Sequence, residues 1–250
     1  PMIAVLLLLA VLLLVRNYIK HKNKGKDDDT HKGLKKAESK TVQGIIQESA
    51  DNISNVVSRT NKIYSDVLQG LAKQDLGKLK KSRKGVEKLD AEIEELRDNI
   101  FYFIKNLDDT SVRGSNFYIV ILGYLTDIAQ SLEFISKKSY KHINNNHKAL
   151  RFNQIKDLQE IDSEFEHLLA DIQSIFDNRE FEKLENILER KTQAMDDISL
   201  MIEKQIQRTR TEESSPKNTT LYFSLLLGTK DLVTALINLM DEYYSSYKKS

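Results

Sequence analysis

The sequence of 250 residues contains no cysteine, only two prolines and nine glycines. The absence of cysteine excludes disulfides, thiolate-ligated metals or clusters, and a cysteine nucleophile. The scarcity of helix-breaking residues, with 30% charged and 40% hydrophobic residues, favours long helices over a sheet-rich fold. We therefore predict an all-α protein.

The sequence also lacks the common catalytic motifs. It has no glycine-rich phosphate loop, no nucleophile elbow and no HExxH pair, so nothing in it supports an NTPase, a hydrolase or a zinc protease. The five histidines are scattered, and the spacing of His142 and His147 does not place them on one helical face. We expect no enzyme activity; a metal-dependent enzyme built on carboxylates is the alternative.

The N terminus carries an uninterrupted apolar run of 14 residues, Met2 to Val15. This run covers about 21 Å as a helix, less than the hydrocarbon core of roughly 30 Å. A signal peptide is the alternative, but basic residues follow the run instead of preceding it and no small-residue cleavage signal appears. Because the chain begins with Pro1, we predict that residues 1–19 are the C-terminal part of a transmembrane helix that starts upstream.

A basic cluster from Arg16 to Lys26 follows the apolar run. By the positive-inside rule, we predict that the rest of the chain is cytoplasmic. Residues 20–40 are rich in Lys, Asp and Gly, which predicts a flexible basic linker near anionic lipid headgroups. Asp27 to Asp29 interrupt the cluster and Tyr18 is its only aromatic residue, so we expect a membrane partner and no nucleic acid.

Apolar residues recur at spacings of three and four after Thr41, which predicts six long helices. Their predicted bounds are 41–73, 76–107, 115–142, 153–176, 180–210 and 216–247. The segment 108–115, with Gly114, is predicted to separate the second and third helices. Such helices bury their apolar stripes only by packing together, so we predict two tandem antiparallel three-helix bundles, residues 41–147 and 148–250.

The two predicted bundles share a repeated residue pattern. The matching pairs are Tyr118/Tyr222, Asp127/Asp231 and Leu132/Leu236, 104 residues apart, and Asp66/Asp171, Lys78/Lys183 and Leu79/Leu184, 105 residues apart. This register indicates a tandem duplication of about 105 residues.

Asp127 and Asp231 lie in the most apolar helices of the two halves. A carboxylate there is costly to bury unless it is paired, hydrogen-bonded or bound to a cation. Polar residues share the face of Asp127, so a solvent-facing position is one interpretation. The other is a metal site, whose oxygen ligands would favour a hard cation or a non-thiolate transition metal. Asp90 and Glu94 lie four residues apart on the second helix and share a face, as two ligands should.

A duplicated three-helix unit with an acidic pair on its second helix and an aspartate in its apolar third helix resembles the PhoU family. Those proteins fold as two three-helix bundles, bind multinuclear iron or zinc clusters through E/D-x-x-x-D motifs, and act in phosphate-responsive regulation of transport. The resemblance covers residues 41–247, and the first members of the motif on the third and sixth helices are replaced by Gly123 and Leu227. It implies a divalent or iron-type metal at Asp90, Glu94, Asp127 and Asp231.

With its membrane segment, the chain is similar to the C-terminal cytoplasmic region of some bacterial inorganic phosphate transporters, notably of the Bacteroidetes type. Residues 141–150 and 202–208 are similar to those tails. The resemblance implies a non-enzymatic regulatory domain at the bacterial inner membrane, whose partners are the membrane, the membrane portion of its own transporter and a second copy. The alternative is a membrane-anchored helical scaffold or sensor stalk unrelated to phosphate.

Overall fold

The computed structural model describes residues 33–107, 112–211 and 215–249, and these residues form helices and no strand. Residues 34–250 make one compact unit. The predicted all-α fold is confirmed. The predicted transmembrane segment and most of the predicted linker lie outside the described residues, and the predicted domain boundaries stay predictions.

The first half contains α1 (Val42–Ala72), α2 (Leu76–Asp98), the short α3 (Ile100–Lys105) and α4 (Val112–Asn144). The Thr41 side chain caps α1 by accepting a hydrogen bond from an amide of the first turn, and Asp75 caps α2 in the same way. Between them, Gln74 reverses the chain with a positive φ of 52°. Each of α1, α2 and α4 packs against the other two. These helices and α3 form what we term the first bundle.

The second half contains α5 (Phe152–Asn178), a 3-10 turn (Phe181–Lys183), α6 (Leu184–Glu189), α7 (Lys191–Thr211) and α8 (Pro216–Lys249). Arg179 ends α5 in the left-handed conformation, with φ of 61°. Both α6 and α7 pack on α8, whereas α5 packs mainly on α1 of the first half. We term these helices the second bundle.

Two helices predicted as continuous are interrupted. The helix predicted over 76–107 divides at Asn99, and the one predicted over 180–210 divides into the 3-10 turn, α6 and α7, with Arg190 between the last two. The Asn99 amide bonds to the carbonyl of Leu96 and the Arg190 amide to that of Ile187, each three residues back. Such bonds tighten one turn and interrupt the α-helical ladder without ending the helical course.

Gly114 lies inside a helix, so the predicted break over 108–115 is wrong at its C-terminal end: α4 already begins at Val112. A Cβ atom on Gly114 would lie only 2.7 Å from Cδ1 of Ile45. The glycine therefore allows the start of α4 to approach α1 closely.

The predicted apolar stripes form the core. On α1 the buried residues include Ile45, Ile46, Ile53, Val56, Val57, Ile63, Val67, Leu68 and Leu71, as the spacing predicts. Four of the six repeat-related pairs share their exposure, whereas Asp66 and Lys78 are half-buried and their counterparts, Asp171 and Lys183, are exposed. The pairs Tyr118/Tyr222, Leu132/Leu236 and Leu79/Leu184 are buried, and the pair Asp127/Asp231 is exposed. The burial pattern thus supports the duplication in the predicted register.

One core joins the two bundles, because α1 pairs with α5 and α4 pairs with α8. The hydroxyl groups of Tyr64 and Thr229 lie 2.7 Å apart across this interface. The buried Tyr243 hydroxyl donates to the Ile46 carbonyl at 2.6 Å, and the Tyr243 ring packs edge-on against Phe176. Polar contacts therefore fix the relative position of the halves inside an apolar interface.

In the part of the chain that the structure describes, α4 from Gly114 and α8 are long and apolar enough to cross a membrane. Half of the most apolar window of α4 (50%) and more of that of α8 (61%) is buried inside the protein. These two helices pack on each other at its centre. Burial in a protein core accounts for their apolar composition.

Candidate functional site

Asp90 and Glu94 lie on the exposed face of α2, as the sequence predicts. Partial burial and the nearby carboxylates of Glu94 and Glu133 raise the pKa of Asp90. Glu133 belongs to α4, so acidic side chains of two helices approach each other here. The Glu94 carboxylate is engaged by Arg97, 2.5 Å away.

Asp127 and Asp231 are exposed on α4 and α8. Among the described residues, no three His, Asp or Glu side chains are gathered as one metal ion would require. The structure thus shows an acidic face at Asp90 and Glu94 but no set of ligands for a multinuclear cluster in its described part. The assignment of these four residues to a metal stays a prediction.

The rings of His142 and His147 contact each other at a tilt of 58°, with centroids 5.1 Å apart. Asn146 makes this approach possible by turning the chain with a φ of 53°. Nε2 of His142 donates to the Lys148 carbonyl at 2.9 Å, and burial lowers the pKa of this histidine. A neutral ring whose Nε2 is already bonded suits a role in closing the turn.

A segment before α1, residues 34–40, is bound to the first bundle; we term it the strap. The Lys35 amide donates to Oδ1 of Asn52 at 2.9 Å, and Nδ2 of Asn52 donates to the Lys35 carbonyl at 2.8 Å. Asn52 is only 6% exposed. This buried amide side chain therefore pairs with the strap backbone at both of its polar ends.

Two carboxylates also bind main-chain amides of the strap, one before and one after Lys35. Oε2 of Glu92 accepts from the Leu34 amide at 3.1 Å. One oxygen of Glu48 accepts from the amides of Glu38 and Ser39, at 2.9 and 3.0 Å. Hydrogen bonds to a charged acceptor are stronger than bonds between neutral groups.

Tyr118 completes the set of acceptors, because its hydroxyl accepts from the Ala37 amide. Burial raises the pKa of Tyr118, so the hydroxyl is neutral. Lys36 adds an exposed ion pair to Glu95 at 3.2 Å. The sequence predicts a flexible linker over residues 20–40, but this last part of it is held to α1, α2 and α4 through main-chain amides.

The second bundle uses the equivalent positions internally. Asp157 and Tyr222 correspond to Asn52 and Tyr118 in the repeat. Oδ2 of Asp157 accepts from Nη1 of Arg208 at 2.6 Å and from the Tyr222 hydroxyl at 2.9 Å. Burial and the negative charge of Asp157 raise the pKa of Tyr222. The first bundle thus binds a chain segment where the second bundle binds its own arginine.

The strap acceptors were not found from the sequence. Glu48, Asn52 and Glu92 bind main-chain groups, so no matching residue pattern marks them. The sequence marks Tyr118 only as a member of the repeat. The one feature of the sequence that could have indicated the strap contacts is a polar residue, Asn52, beside the apolar stripe of α1.

The comparison with solved structures bears on the fold. No family model and no curated protein matches the sequence. Among solved structures, the chain is similar to the crystal structure of the phosphate transport system regulatory protein PhoU from Streptococcus pneumoniae. The TM-score is 0.65 and the sequences are 13% identical over 82% of this chain and 94% of that chain. The chain therefore has a PhoU-like all-α bundle fold.

Proposed function

We propose that this chain is the cytoplasmic regulatory domain of an inorganic phosphate transmembrane transporter and has no enzyme activity of its own. The observation that supports this function is the likeness of the fold to that of a regulator of phosphate transport. The N-terminal apolar run supports attachment to a membrane protein whose pore is formed by residues upstream.

The strap gives this proposal a physical route. It joins residues 1–33 to the bundles, and its amides are held by side chains of three helices. A displacement of the chain that reaches residue 34 would therefore act on α1, α2 and α4 through these hydrogen bonds. Such control requires that the bundles contact the membrane portion differently in two transport states.

The proposed partners are the inner membrane, the membrane portion of the same transporter and a second copy of the chain. The basic cluster between Arg16 and Lys26 suits anionic headgroups on the cytoplasmic side. Phosphate itself would be bound and moved by the upstream residues.

The direct test measures phosphate uptake by the parent transporter in cells grown with scarce or abundant phosphate. Removal of residues 41–250 is expected to abolish the difference between the two conditions while the transporter still reaches the membrane. Identical uptake and an identical response with and without this region would contradict the regulatory function. That result would favour a scaffold or stalk unrelated to phosphate.

A second test addresses the strap in the intact transporter. Asn52→Leu removes both hydrogen bonds to Lys35, and we expect it to weaken the response to phosphate. Glu189→Gln, an exposed change at the end of α6, serves as the matched control. Circular dichroism of both variants checks that the helices remain folded. A normal response in a folded Asn52→Leu protein would exclude coupling through the strap.

A further inference from the structure

A cavity of about 360 Å³ lies in the second bundle between α5, α7 and α8. Apolar side chains from α5 and α8 form much of its wall, among them Ile161, Phe165 and Val233. Glu164 of α5 and Asp197 of α7 add carboxylates to the same wall. A mainly apolar cavity with a few convergent polar groups is the usual form of a small-molecule site.

The repeat shows what fills the equivalent place in the first bundle. The residues 105 positions before Glu164 and Asp197 are Arg59 and Glu92. Nη1 of Arg59 lies 2.7 Å from Oε2 of Glu92, and both side chains are largely buried. A guanidinium group therefore joins α1 to α2 at the point where the second bundle carries two carboxylates.

The register of this comparison is fixed by neighbouring core residues. Val56 and Ile161 are both buried, as are Ile93 and Ile198, each pair 105 residues apart. Thr60, at the position equivalent to Phe165, is fully buried. The positions of the first bundle that correspond to these cavity-lining residues are thus buried as well.

The two carboxylates lack a cation. Within the described part of the chain, neither Glu164 nor Asp197 forms an ion pair with a basic side chain. Asp197 accepts a hydrogen bond from Gln193 of its own helix at 2.7 Å. Arg190 also lines the cavity, but its guanidinium pairs with Asp171 at 2.7 Å. Glu164 is exposed and Asp197 is half-buried, so both carboxylates are reached from solvent. Partial desolvation and the charge of Asp197 raise the pKa of Glu164.

We propose that this cavity binds a small organic cation, with a guanidinium or ammonium group between Glu164 and Asp197 and an apolar body against Ile161, Phe165 and Val233. The charged group takes the place that the Arg59 guanidinium holds in the first bundle, and the apolar body fills the cavity. Bare metal ions fit less well: His167 also lines the cavity, but among the described residues no three His, Asp or Glu side chains are gathered as one ion would require. This site is independent of the proposed role in phosphate transport.

Isothermal titration of the full chain with n-hexylguanidinium tests the site, with n-hexanol and hexanoate as neutral and anionic analogues of similar size. We expect the cation to bind at least about tenfold more tightly than either analogue, because a hydrogen-bonded charge adds to the apolar contact. Equal binding of hexanol would overturn the charge recognition, and binding of none of the three would overturn the site.

Variants at one position separate charge from fold. Glu164→Gln is expected to weaken hexylguanidinium binding by about tenfold to a hundredfold. Glu164→Arg recreates the residue of the first bundle, and we expect it to pair with Asp197, abolish binding and raise the melting temperature. Asp98→Asn, an exposed change at the end of α2 in the first bundle, is the matched control and should bind normally. Unchanged binding in a folded Glu164→Arg protein would contradict the proposal.

Two further titrations test the identity of the ligand. A short arginine-containing peptide that binds more tightly than hexylguanidinium would replace the small molecule by the side chain of a protein partner, and so overturn the assignment. Zinc or manganese that competes with hexylguanidinium and binds more tightly would overturn it in favour of a metal site. Weaker binding of both probes is the expected result.

Discussion

In the first bundle Arg59 and Glu92 connect α1 to α2, and all three long helices pack on one another. In the second bundle the same two positions hold Glu164 and Asp197, and a cavity separates α5 from α7 and α8. The apolar stripes of the two bundles are otherwise closely equivalent. At this pair of positions opposite charges attract between α1 and α2, whereas two carboxylates repel each other between α5 and α7. The ion pair that joins α5 to α7 lies elsewhere, between Asp157 and Arg208.

The two bundles also differ in how they use their tyrosines. Tyr118 accepts a hydrogen bond from the strap, whereas Tyr222 donates to Asp157, which Arg208 also binds. The first bundle directs its polar groups toward another segment of the chain. The second bundle uses its tyrosine, Tyr222, in a bond between its own helices. Its cavity lies near other residues, between α5, α7 and α8.

The largest difference between the bundles is expected from the charged pair. Arg59→Met leaves the largely buried Glu92 without its cation, and we expect a loss of about 3 kcal/mol in the free energy of unfolding. Glu164→Met in the second bundle removes an unpaired charge and should change stability by less than about 0.5 kcal/mol or increase it. Urea denaturation measures both. Equal losses would show that the Arg59 pair has no special role.

The next effect concerns two glycines at equivalent positions of the repeat, Gly123 in α4 and Gly228 in α8. A Cβ on Gly228 would lie 2.7 Å from Cγ1 of Ile135, where α8 meets α4. Gly228→Ala is therefore expected to cost about 1–3 kcal/mol by overpacking. Gly123→Ala is the matched control, because a Cβ there meets no atom within 4 Å. It should gain up to about 1 kcal/mol from helix propensity. Similar denaturation midpoints for the two variants would refute the close approach.

A smaller contrast is expected between the repeated tyrosines. Tyr222→Phe removes a bond to a charged acceptor and should cost about 1.5–2 kcal/mol, whereas Tyr118→Phe removes one from a main-chain amide and should cost about 1 kcal/mol or less. Denaturation gives the cost of each change. Limited proteolysis should cleave residues 34–40 faster in Tyr118→Phe alone, and faster cleavage there in Tyr222→Phe would contradict the contrast.

The smallest effect is the pH dependence of Glu164. Its pKa is raised in the folded state by burial and by Asp197 and Glu160, while Arg190 at the cavity wall is paired with Asp171. A raised carboxyl pKa means that this group destabilises the folded state increasingly as pH rises through that pKa. Glu164→Gln should thus be more stable than the parent at neutral pH, and the difference should vanish in acid. Melting temperatures measured from pH 4 to pH 8 test this; a constant difference would argue against it.

Periodicity predicted much of the fold because burial follows helical spacing. Ile53 and Val67 of α1 are buried where the pattern places them, and the repeat located Tyr118 and Tyr222 in both cores. The interruptions at Asn99 and Arg190 were missed, since a single tightened turn leaves the spacing of apolar residues nearly unchanged.

The candidate sites were less accessible to sequence reasoning. A spacing rule identified Asp90 and Glu94 as neighbours on one helix, but not the approach of Glu133 from α4, which depends on tertiary packing. The sequence alone does not show that Glu164 and Asp197 lack a cation. This follows from the structure, in which Arg59 and Glu92, at the equivalent positions of the repeat, form an ion pair. Apolar periodicity records which positions face inward and not whether the charges between helices match.

The way the strap is bound has a consequence for how its sequence can vary. Its described contacts to Glu48, Asn52, Glu92 and Tyr118 are made by main-chain groups. Replacement of an exposed strap side chain would therefore leave these hydrogen bonds intact, whereas a proline at a bonded position would remove a donor. A polar residue at Leu34 or Ala37 would instead lose contact with the core. The hydrogen bonds are encoded in α1, α2 and α4, whereas the apolar contacts of the strap depend on its own Leu34 and Ala37.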